Sequence, residues 1–441
     1  MKAPKILAAS ILAAAALAST ASAQTKIYVT GSSAFRTVAT NQITTTVGVS
    51  PTASDNSDPT AANATSWVGG NVGGTAVTVK ASWSGSASGV QTVAGTLNTV
   101  RFLPDGVVGL GTATATGGGY NNGDTIKDPR AAGNLNETAT PDVCFSDVLQ
   151  GSTPFSGTFS GTTYLTLTDN QVGVVSFTFA ASNGFPSGLS MTKQAFQYQF
   201  SGFGAAPLSW YTGLAADAGS GGGAVTPARF AYAIGRDPDS GTRITALAES
   251  GYGINNAVTQ FLPTAGSGHI TALGNYNDTT INGITYAGAN MGESTGGTLR
   301  AFLNNAVDSG AYQQGETGPS FVVTYLGVSD FLKVFTGTFG GLSGSYAGTL
   351  PAVPLAWNGV SYSQANIENG SYTFWSYEHL DYRSTLGNGT TGGPVVKLTF
   401  ATNLKTNILG VATSSLSGNV KLGDMQVKRT GDGGPITSKN F

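Results

Sequence analysis

The sequence predicts an α/β protein with mixed sheets. Short apolar runs of strand type alternate with segments of helical spacing over most of the 441 residues. Turns rich in glycine and serine join strand to helix at several of these junctions, and one long stretch alternates apolar and polar residues. Strands that alternate with helices indicate α/β architecture, and the loops at their junctions are where such folds bind ligands.

The first two junctions lie in the N-terminal part of the chain. In "KIYVTGSSAFRTVATNQIT", residues 27–29 are strand-like, residues 31–33 turn the chain, and a helix-compatible segment begins at Ala34. Residues 45–78 are rich in Thr, Ala, Gly, Ser and Asn and are predicted to form a loop. A second strand, "AVTVKASW", precedes "SGSASGVQTVAG", which again places a turn before a helix.

The middle of the chain is predicted to be rich in strands. The strand "TVRFL" leads into residues 104–140, a Gly/Thr/Asn-rich stretch predicted to be an inserted surface loop, and "PDVCFSDVL" follows. Residues 151–203 alternate apolar and polar side chains, as in "YLTLT" and "VGVVSFTFAA", which predicts strands joined by short turns.

Strands and helices alternate again towards the C-terminus. Residues 230–234 predict a short buried strand, and "ITALAES" predicts the opening of a helix. "GGTLRAFLNNAVDSG" has helical spacing, and "PSFVVTYLGVSDFLKVF" predicts a strand that runs into a short helix. The tail from Val395 supplies further strand and helix segments.

The N-terminus predicts export. Lys2 and Lys5 precede an apolar run over residues 6–17, and residues 21–23, Ala-Ser-Ala, form a small-residue cleavage site. The apolar run is too short for a membrane anchor. Residues 1–23 are therefore predicted to be a signal peptide cleaved near Ala23, and the mature chain is expected in the periplasm or secreted.

Composition excludes several classes of site. Only 10% of residues are charged and the formal net charge is −2, so no basic surface for nucleic acid is expected. Cys144 is the one cysteine, which leaves no disulfide framework. His269 and His379 stand far apart in the sequence and are each predicted to be structural. We therefore expect no metal site, no cofactor and no enzymatic activity.

Three junctions share one signature. Residues 31–33, residues 85–89 and residues 240–242 each offer free backbone amides and at least one hydroxyl before a helix. Amides and the helix dipole at such a position favour an anion. Asp147, which follows Ser146, adds an acceptor carboxylate. Neutral donors with one arginine and one carboxylate would suit a small tetrahedral oxyanion.

The segment "FAYAIGRDPDSGTR" concentrates charge in a chain that has little of it. Arg236, Asp237, Asp239, Ser240 and Arg243 fall within eight residues, between the predicted strand and helix. One interpretation is an anion site at the helix N-terminus. The alternative is a Ser or Asp helix cap beside a surface arginine.

Five motifs in order resemble the phosphate-binding receptors of ABC phosphate transporters, a group of class II periplasmic binding proteins. "VTGSSAF" is similar to the first phosphate loop of that family, "WSGSASGV" to the second, and "FSDV" to its Ser-Asp element. "GRDPDSGTR" resembles the Arg-x-Asp-Gly-Ser-Gly-Thr loop, and "WNGVSYSQANIENGSYTFWSYEHL" resembles a later segment. The similarity covers most of the mature chain, with an extra stretch near residues 104–140.

The resemblance implies a two-lobed fold of class II with a ligand cleft between the lobes. It places the first part of lobe one at residues 24–170, including the insert, lobe two at residues 171–325, and the return to lobe one at residues 326–441.

The resemblance also implies a phosphate site. The residues that match the family's motifs are Ser33, Ala34, Phe35, Ser86, Asp147, Arg236, Ser240, Gly241 and Thr242. Three departures concern the ligand. Ala34 replaces a threonine of the first loop, Pro238 replaces an acid before Ser240, and residues 375–377 replace Arg-Pro-Leu.

We therefore expect a monomeric, non-enzymatic receptor that captures inorganic phosphate or a related oxyanion, with an ABC permease as its membrane partner. Asp147 would select phosphate over sulfate, because only protonated phosphate offers it a hydrogen-bond donor. The alternative is a secreted surface or matrix protein with the same fold and no role in transport. The long insert, Ala34 and Pro238 favour that alternative.

Overall fold

The structure is a computed structural model that describes residues 24–97, 100–112, 117–119, 128–130, 137–217, 229–281, 284–312, 319–389, 393–412 and 417–439. The predicted signal peptide and about half of the predicted insert lie outside these ranges. None of the helices in the described ranges is long and apolar enough to cross a membrane.

The helices, in chain order, are α1 (Arg36–Val47), α2 (Ser86–Ala94), α3 (Lys193–Ser201), α4 (Ser209–Thr212), α5 (Gly241–Glu249), α6 (Gly296–Leu303), α7 (Val328–Phe331), α8 (Gln364–Glu368) and α9 (Gly393–Gly410). Short 3-10 turns are formed by Gln150–Ser152, Ala215–Asp217, Gly288–Asn290 and Leu422–Asp424.

The strands of the first half are β1 (Thr25–Gly31), β2 (Ala53–Ser54), β3 (Ala64–Val72), β4 (Thr75–Ser82), β5 (Val100–Phe102), β6 (Gly109–Leu110), β7 (Gly117–Gly119), β8 (Asp128–Arg130), β9 (Glu137–Ala139), β10 (Val143–Ser146), β11 (Gly157–Phe159), β12 (Thr162–Tyr164), β13 (Leu167–Thr168), β14 (Gln171–Ala181) and β15 (Ser190–Met191). Those of the second half are β16 (Ala205–Pro207), β17 (Phe230–Ala233), β18 (Leu262–Gly266), β19 (His269–Gly274), β20 (Thr279–Ile281), β21 (Ile284–Tyr286), β22 (Ala306–Val307), β23 (Phe321–Gly327), β24 (Thr338–Phe339), β25 (Leu342–Ser343), β26 (Val353–Trp357), β27 (Trp375–Arg383), β28 (Val427–Lys428) and β29 (Thr437–Ser438).

Strand β14 joins the two halves of a mixed sheet. Its first half pairs with β27 and its second half pairs with β23 and β26. Across the described residues the sheet runs β16-β17-β23-β14-β27-β10-β1-β4-β3-β2-β6. Parallel pairs form around β1 in one half and between β17 and β23 in the other. The predicted α/β class with mixed sheets is confirmed. The two lobes and their boundaries remain a prediction.

Helices cover both faces of the β1 half. Adjacent residues of β10 point to opposite faces because side chains alternate along a strand. Phe145 packs towards Phe35 at the start of α1, while Cys144 joins the cluster that α2 forms with Ala87 and Val90. β10 and β14 are buried on both faces, and their sequences are accordingly apolar over most of their length.

Gly31 ends β1 and makes the turn into α1 possible. Its φ of 114° lies in the left-handed region that favours glycine. A Cβ there would also overlap the main chain of Phe145, whose carbonyl accepts a hydrogen bond from Ser32 N at 2.8 Å. The turn therefore holds the N-terminus of α1 at the carboxyl ends of β1 and β10.

Two predictions of local structure were wrong. Residues 45–78 are not a loop, because β3 pairs with β4 along its length and buries Trp67. The sequence of β3, ATSWVGGNV, shows no regular alternation of apolar and polar residues, so it gives little sign of a strand. Within residues 151–203, Lys193–Ser201 is a helix, because the Thr192 side chain accepts a hydrogen bond from Ala195 N and caps it.

Candidate functional site

Two helix N-termini and one carboxylate meet at a buried junction. The Ser86 hydroxyl, at the start of α2, donates to a carboxylate oxygen of Asp147, which follows β10. Asp147 N donates back to Ser86 Oγ at 3.3 Å. Ala87 N donates to Asp239 O at 3.0 Å, which links α2 to the loop that precedes α5. The second, third and fourth sequence motifs are therefore brought together.

Gly241 lets the carboxylate reach the first turn of α5. A Cβ at this position would overlap Asp147 Oδ1 and lie 2.7 Å from Ser86 Oγ. The first amides of a helix have no intrahelical acceptor and carry partial positive charge. Gly241 and Thr242 occupy those positions, so the α5 N-terminus faces a carboxylate at a distance only glycine permits.

Ser240 is the N-cap of α5. Its hydroxyl accepts a hydrogen bond from Arg243 N at 3.3 Å, as the helix-cap alternative expects. The arginines beside it are not on the surface, however. Arg243 is buried and donates to Asn290 O at 2.6 Å and to Arg236 O at 3.2 Å. The cap is real, and the surface-arginine part of that alternative is wrong.

Arg236 is buried and fixed by main-chain acceptors. Its Nε donates to Glu293 O at 3.0 Å, and its Nη2 donates to Ser294 O at 2.7 Å. The Nε–Nη2 edge is therefore engaged by the protein, and Nη1 carries neither of these bonds. The positive charge of Arg236 lowers the pKa of Asp147, which places the guanidinium within electrostatic reach of the carboxylate.

The acceptors of Arg236 belong to a Gly-x-Ser-x-Gly sequence, "GESTG", at residues 292–296. In serine hydrolases such a turn presents a nucleophile to a histidine. Here His269 bonds to Asp308 and His379 bonds to Asp169, each at less than 2.8 Å. The turn instead supplies main-chain carbonyls that orient Arg236.

Burial dominates the electrostatics of Asp147. It raises the pKa of this carboxyl from an ordinary value near 3.8 to about 6. The hydrogen bond from Ser86 and the charge of Arg236 oppose this rise, and Asp432 adds to it. Asp147 is therefore ionised at neutral pH but becomes protonated under mildly acidic conditions.

The first loop reaches the junction through the main chain. Gly85 N donates to Gly31 O at 2.9 Å, which ties the first and second turns together. Phe35 is the N-cap of α1 and is buried, Ala34 is buried, and Ser33 is partly exposed. Within the described part of the chain, none of these three residues hydrogen bonds to Asp147 or Arg236.

Sequence analysis missed two charged residues at this place. Arg36, the first residue of α1, is buried and feels the charges of Arg236 and Asp330. Glu378 is fully buried, with Ser32 as a hydrogen-bonding neighbour of its carboxyl group. Burial and then the negative charge of Asp147 raise the pKa of Glu378 well above its ordinary value.

The sequence contains a clue to the position of Arg36 but none to the position of Glu378. Arg36 follows the first loop directly in "SSAFR", so its place could have been noticed. Glu378 comes from β27, where it lies opposite Gly173 of β14. That register depends on long-range pairing and leaves no local signal in the sequence.

A cavity of about 830 Å³ lies beside the loop that contains Pro238. Pro238, Arg243, Tyr286 and Asn290 contribute to its lining. None of the nine sequence-predicted site residues lines it, so it is separate from the junction of Ser86, Asp147 and Gly241.

No protein family and no curated protein matches the sequence. Comparison with solved structures finds receptors of the kind that the motifs resemble. One is described as a phosphate ABC transporter substrate-binding protein with bound phosphate, from Clostridium perfringens. The match covers 90% of this chain and 99% of that chain, with 10% sequence identity and a TM-score of 0.40. An ABC-type phosphate transport receptor from Vibrio cholerae has 9% identity, coverage of 89% and 99%, and a TM-score of 0.39.

A third, PstS from Borrelia burgdorferi, has 9% identity, coverage of 90% and 99%, and a TM-score of 0.34. The chain resembles phosphate receptors of ABC transporters.

Proposed function

We propose that the protein is an exported receptor that binds a small tetrahedral oxyanion, with inorganic phosphate as the preferred ligand. The observation that carries the proposal is the meeting of the α2 and α5 N-termini at the buried Asp147 carboxylate. Helix N-termini supply amide donors and a favourable field for an anion. The bound anion would be contacted by residues from the set Ser33, Ala34, Phe35, Ser86, Asp147, Arg236, Ser240, Gly241 and Thr242.

Arginine supplies the countercharge. Arg236 is held by two main-chain carbonyls, so its orientation is fixed before a ligand arrives. Arg36 lies near enough to Arg236 for each to feel the other's charge. Two buried cations favour an anion, and the Nη1 side of Arg236 is the proposed point of contact.

Asp147 gives the proposed site its preference for phosphate over sulfate. At neutral pH phosphate carries at least one O–H group, which can donate to the ionised carboxylate. Sulfate has no proton to donate, so it would leave a buried carboxylate facing unprotonated oxygens of like charge. The same site would accept other protonated oxyanions of similar size.

The proposed role is capture and release without a chemical step, with delivery to an ABC-type permease. Calorimetric titration of the purified protein with phosphate tests the capture. We expect binding with one site per chain and loss of that binding in Arg236→Ala. Asp308→Asn, which changes an exposed carboxylate far from the junction, is the matched control. Absence of binding in the wild type would favour the surface or matrix protein instead.

A further inference from the structure

A second polar cluster lies on the opposite face of β27 from Glu378. His379 and Asp381 alternate with Leu380 and therefore point to the same side of the strand. In the register with β10 they lie opposite Ser146 and Cys144. Asp169 reaches the same place from the turn between β13 and β14, both of which pair with β27.

The three side chains bring their ligand atoms close together. His379 Nδ1 lies 2.6 Å from Asp169 Oδ1, and one ligand atom from each of Asp169, His379 and Asp381 falls within 4.8 Å of the other two. Ligand atoms around a divalent metal with bonds of about 2.0–2.2 Å lie roughly 3–4 Å apart. Small side-chain movements, including a lengthening of the contact between His379 and Asp169, would therefore complete a three-ligand set.

Two buried atoms of the cluster are unsatisfied. His379 Nε2 and Asp381 Oδ1 have no hydrogen-bond partner among the described residues, although both residues are at least 98% buried. Buried polar atoms are normally paired, and an unpaired one indicates a missing ion, water or ligand. Asp169 is 45% exposed at its side chain, so the cluster has a path to solvent.

We propose that Asp169, His379 and Asp381 bind a divalent first-row transition cation such as Zn²⁺ or Mn²⁺. One imidazole nitrogen and two carboxylate oxygens are the ligands that these cations accept, and a cation between two carboxylates removes their mutual repulsion. Water entering beside Asp169 would complete the coordination. The sequence analysis expected no metal because its two histidines are far apart; this site needs only one of them.

The site has a matched counterpart elsewhere in the fold. His269 Nδ1 lies 2.7 Å from Asp308 Oδ1, nearly the same contact as that between His379 and Asp169. In the described chain no third carboxylate or thiolate joins that pair as a candidate ligand set. Asp308→Asn therefore controls for any cation that binds a simple His–Asp pair.

The test uses chelator-treated protein in phosphate-free buffer, titrated calorimetrically with ZnCl₂ and MnCl₂, and with MgCl₂ as a hard-cation comparison. We expect one Zn²⁺ or Mn²⁺ per chain, and affinity at least about tenfold weaker in Asp169→Asn. The Asp169 side chain is 45% exposed, so this variant is expected to fold, and far-ultraviolet circular dichroism checks that it does. Asp308→Asn should bind as the wild type does.

Three outcomes would overturn the proposal. The wild type could fail to bind Zn²⁺ or Mn²⁺ at millimolar concentration, or Asp169→Asn could bind the metal as tightly as the wild type. The third is an equal loss of metal binding in Asp169→Asn and Asp308→Asn. Because the metal is titrated without phosphate, failure here leaves the proposed anion site untouched, and failure of the anion site leaves this test valid.

Discussion

Ser86 and Asp147 are hydrogen-bonded in both directions: the serine hydroxyl donates to the carboxylate, and the aspartate amide donates to the hydroxyl at 3.3 Å. This pair fastens the N-terminus of α2 to the end of β10. Gly241 closes the arrangement from the other side at the start of α5.

Gly241→Ala should destabilise the protein by about 1–3 kcal/mol and abolish anion binding, because the new methyl group overlaps the Asp147 carboxylate. Gly297→Ala in α6 is the control, since a Cβ there would lie 3.5 Å from Thr295 Oγ1, an ordinary contact, and alanine favours a helix. Urea unfolding measures the stability of both variants, and calorimetric titration with phosphate measures their binding. Equal stability of Gly241→Ala and wild type would show that Asp147 does not sit against α5.

Asp147→Asn should change how stability depends on pH. The folded-state pKa of Asp147 is raised, so its protonation stabilises the fold fully below pH 3.8, and this stabilisation is lost as the pH rises through about 6. Asparagine does not titrate. Relative to wild type, the variant should therefore gain about 2 kcal/mol of unfolding free energy between pH 4 and pH 7.

The measurement is urea unfolding of both proteins across that range. Taking the difference removes the groups that do not interact with Asp147. Glu378, whose pKa is raised by the charge of Asp147, contributes to the difference. A difference that stays constant with pH would contradict the buried position of the carboxyl.

Arg236→Lys should fail to bind phosphate although it keeps the positive charge. Lysine cannot reproduce the two bonds to Glu293 O and Ser294 O that orient the guanidinium. We expect the loss in the variant to approach that of Arg236→Ala in calorimetry. Near-normal affinity in Arg236→Lys would mean that charge alone, and not orientation, matters at this position.

Arg429→Met should destabilise the protein by about 3–5 kcal/mol, because it leaves Glu249 buried without its partner. Arg429 Nη1 lies 3.0 Å from Glu249 Oε2, with both side chains at least 95% buried, and the guanidinium stacks 3.9 Å from the Trp375 ring centroid. Asp308→Asn, in an exposed pair, should cost less than about 1 kcal/mol. Similar losses in the two variants would contradict the assignment.

The junction could be predicted from the sequence because its parts are local. A glycine or serine turn between a strand and a helix places amides at the helix N-terminus whatever the rest of the fold does, and residues 85–89 and 240–242 do so. The start of α5 was placed one turn late, at Ile244, because Ser240 caps a turn with little apolar signal.

The remaining features depend on pairing between distant segments. Glu378 and the cluster of Asp169, His379 and Asp381 arise from the register of β27 with β10, β13 and β14. The fixed orientation of Arg236 depends on carbonyls that lie 57 and 58 residues away. Hydrophobic periodicity and motif spacing describe local structure only, so they do not predict these contacts.

The central claim is that Asp147 makes the junction a phosphate site. Calorimetric titration of wild type and Asp147→Asn with phosphate and with sulfate at neutral pH tests it most directly. We expect wild type to bind phosphate and to bind sulfate at least about tenfold more weakly, and Asp147→Asn to reduce that difference. Equal affinity of the wild type for the two anions, or binding of neither, would contradict the account.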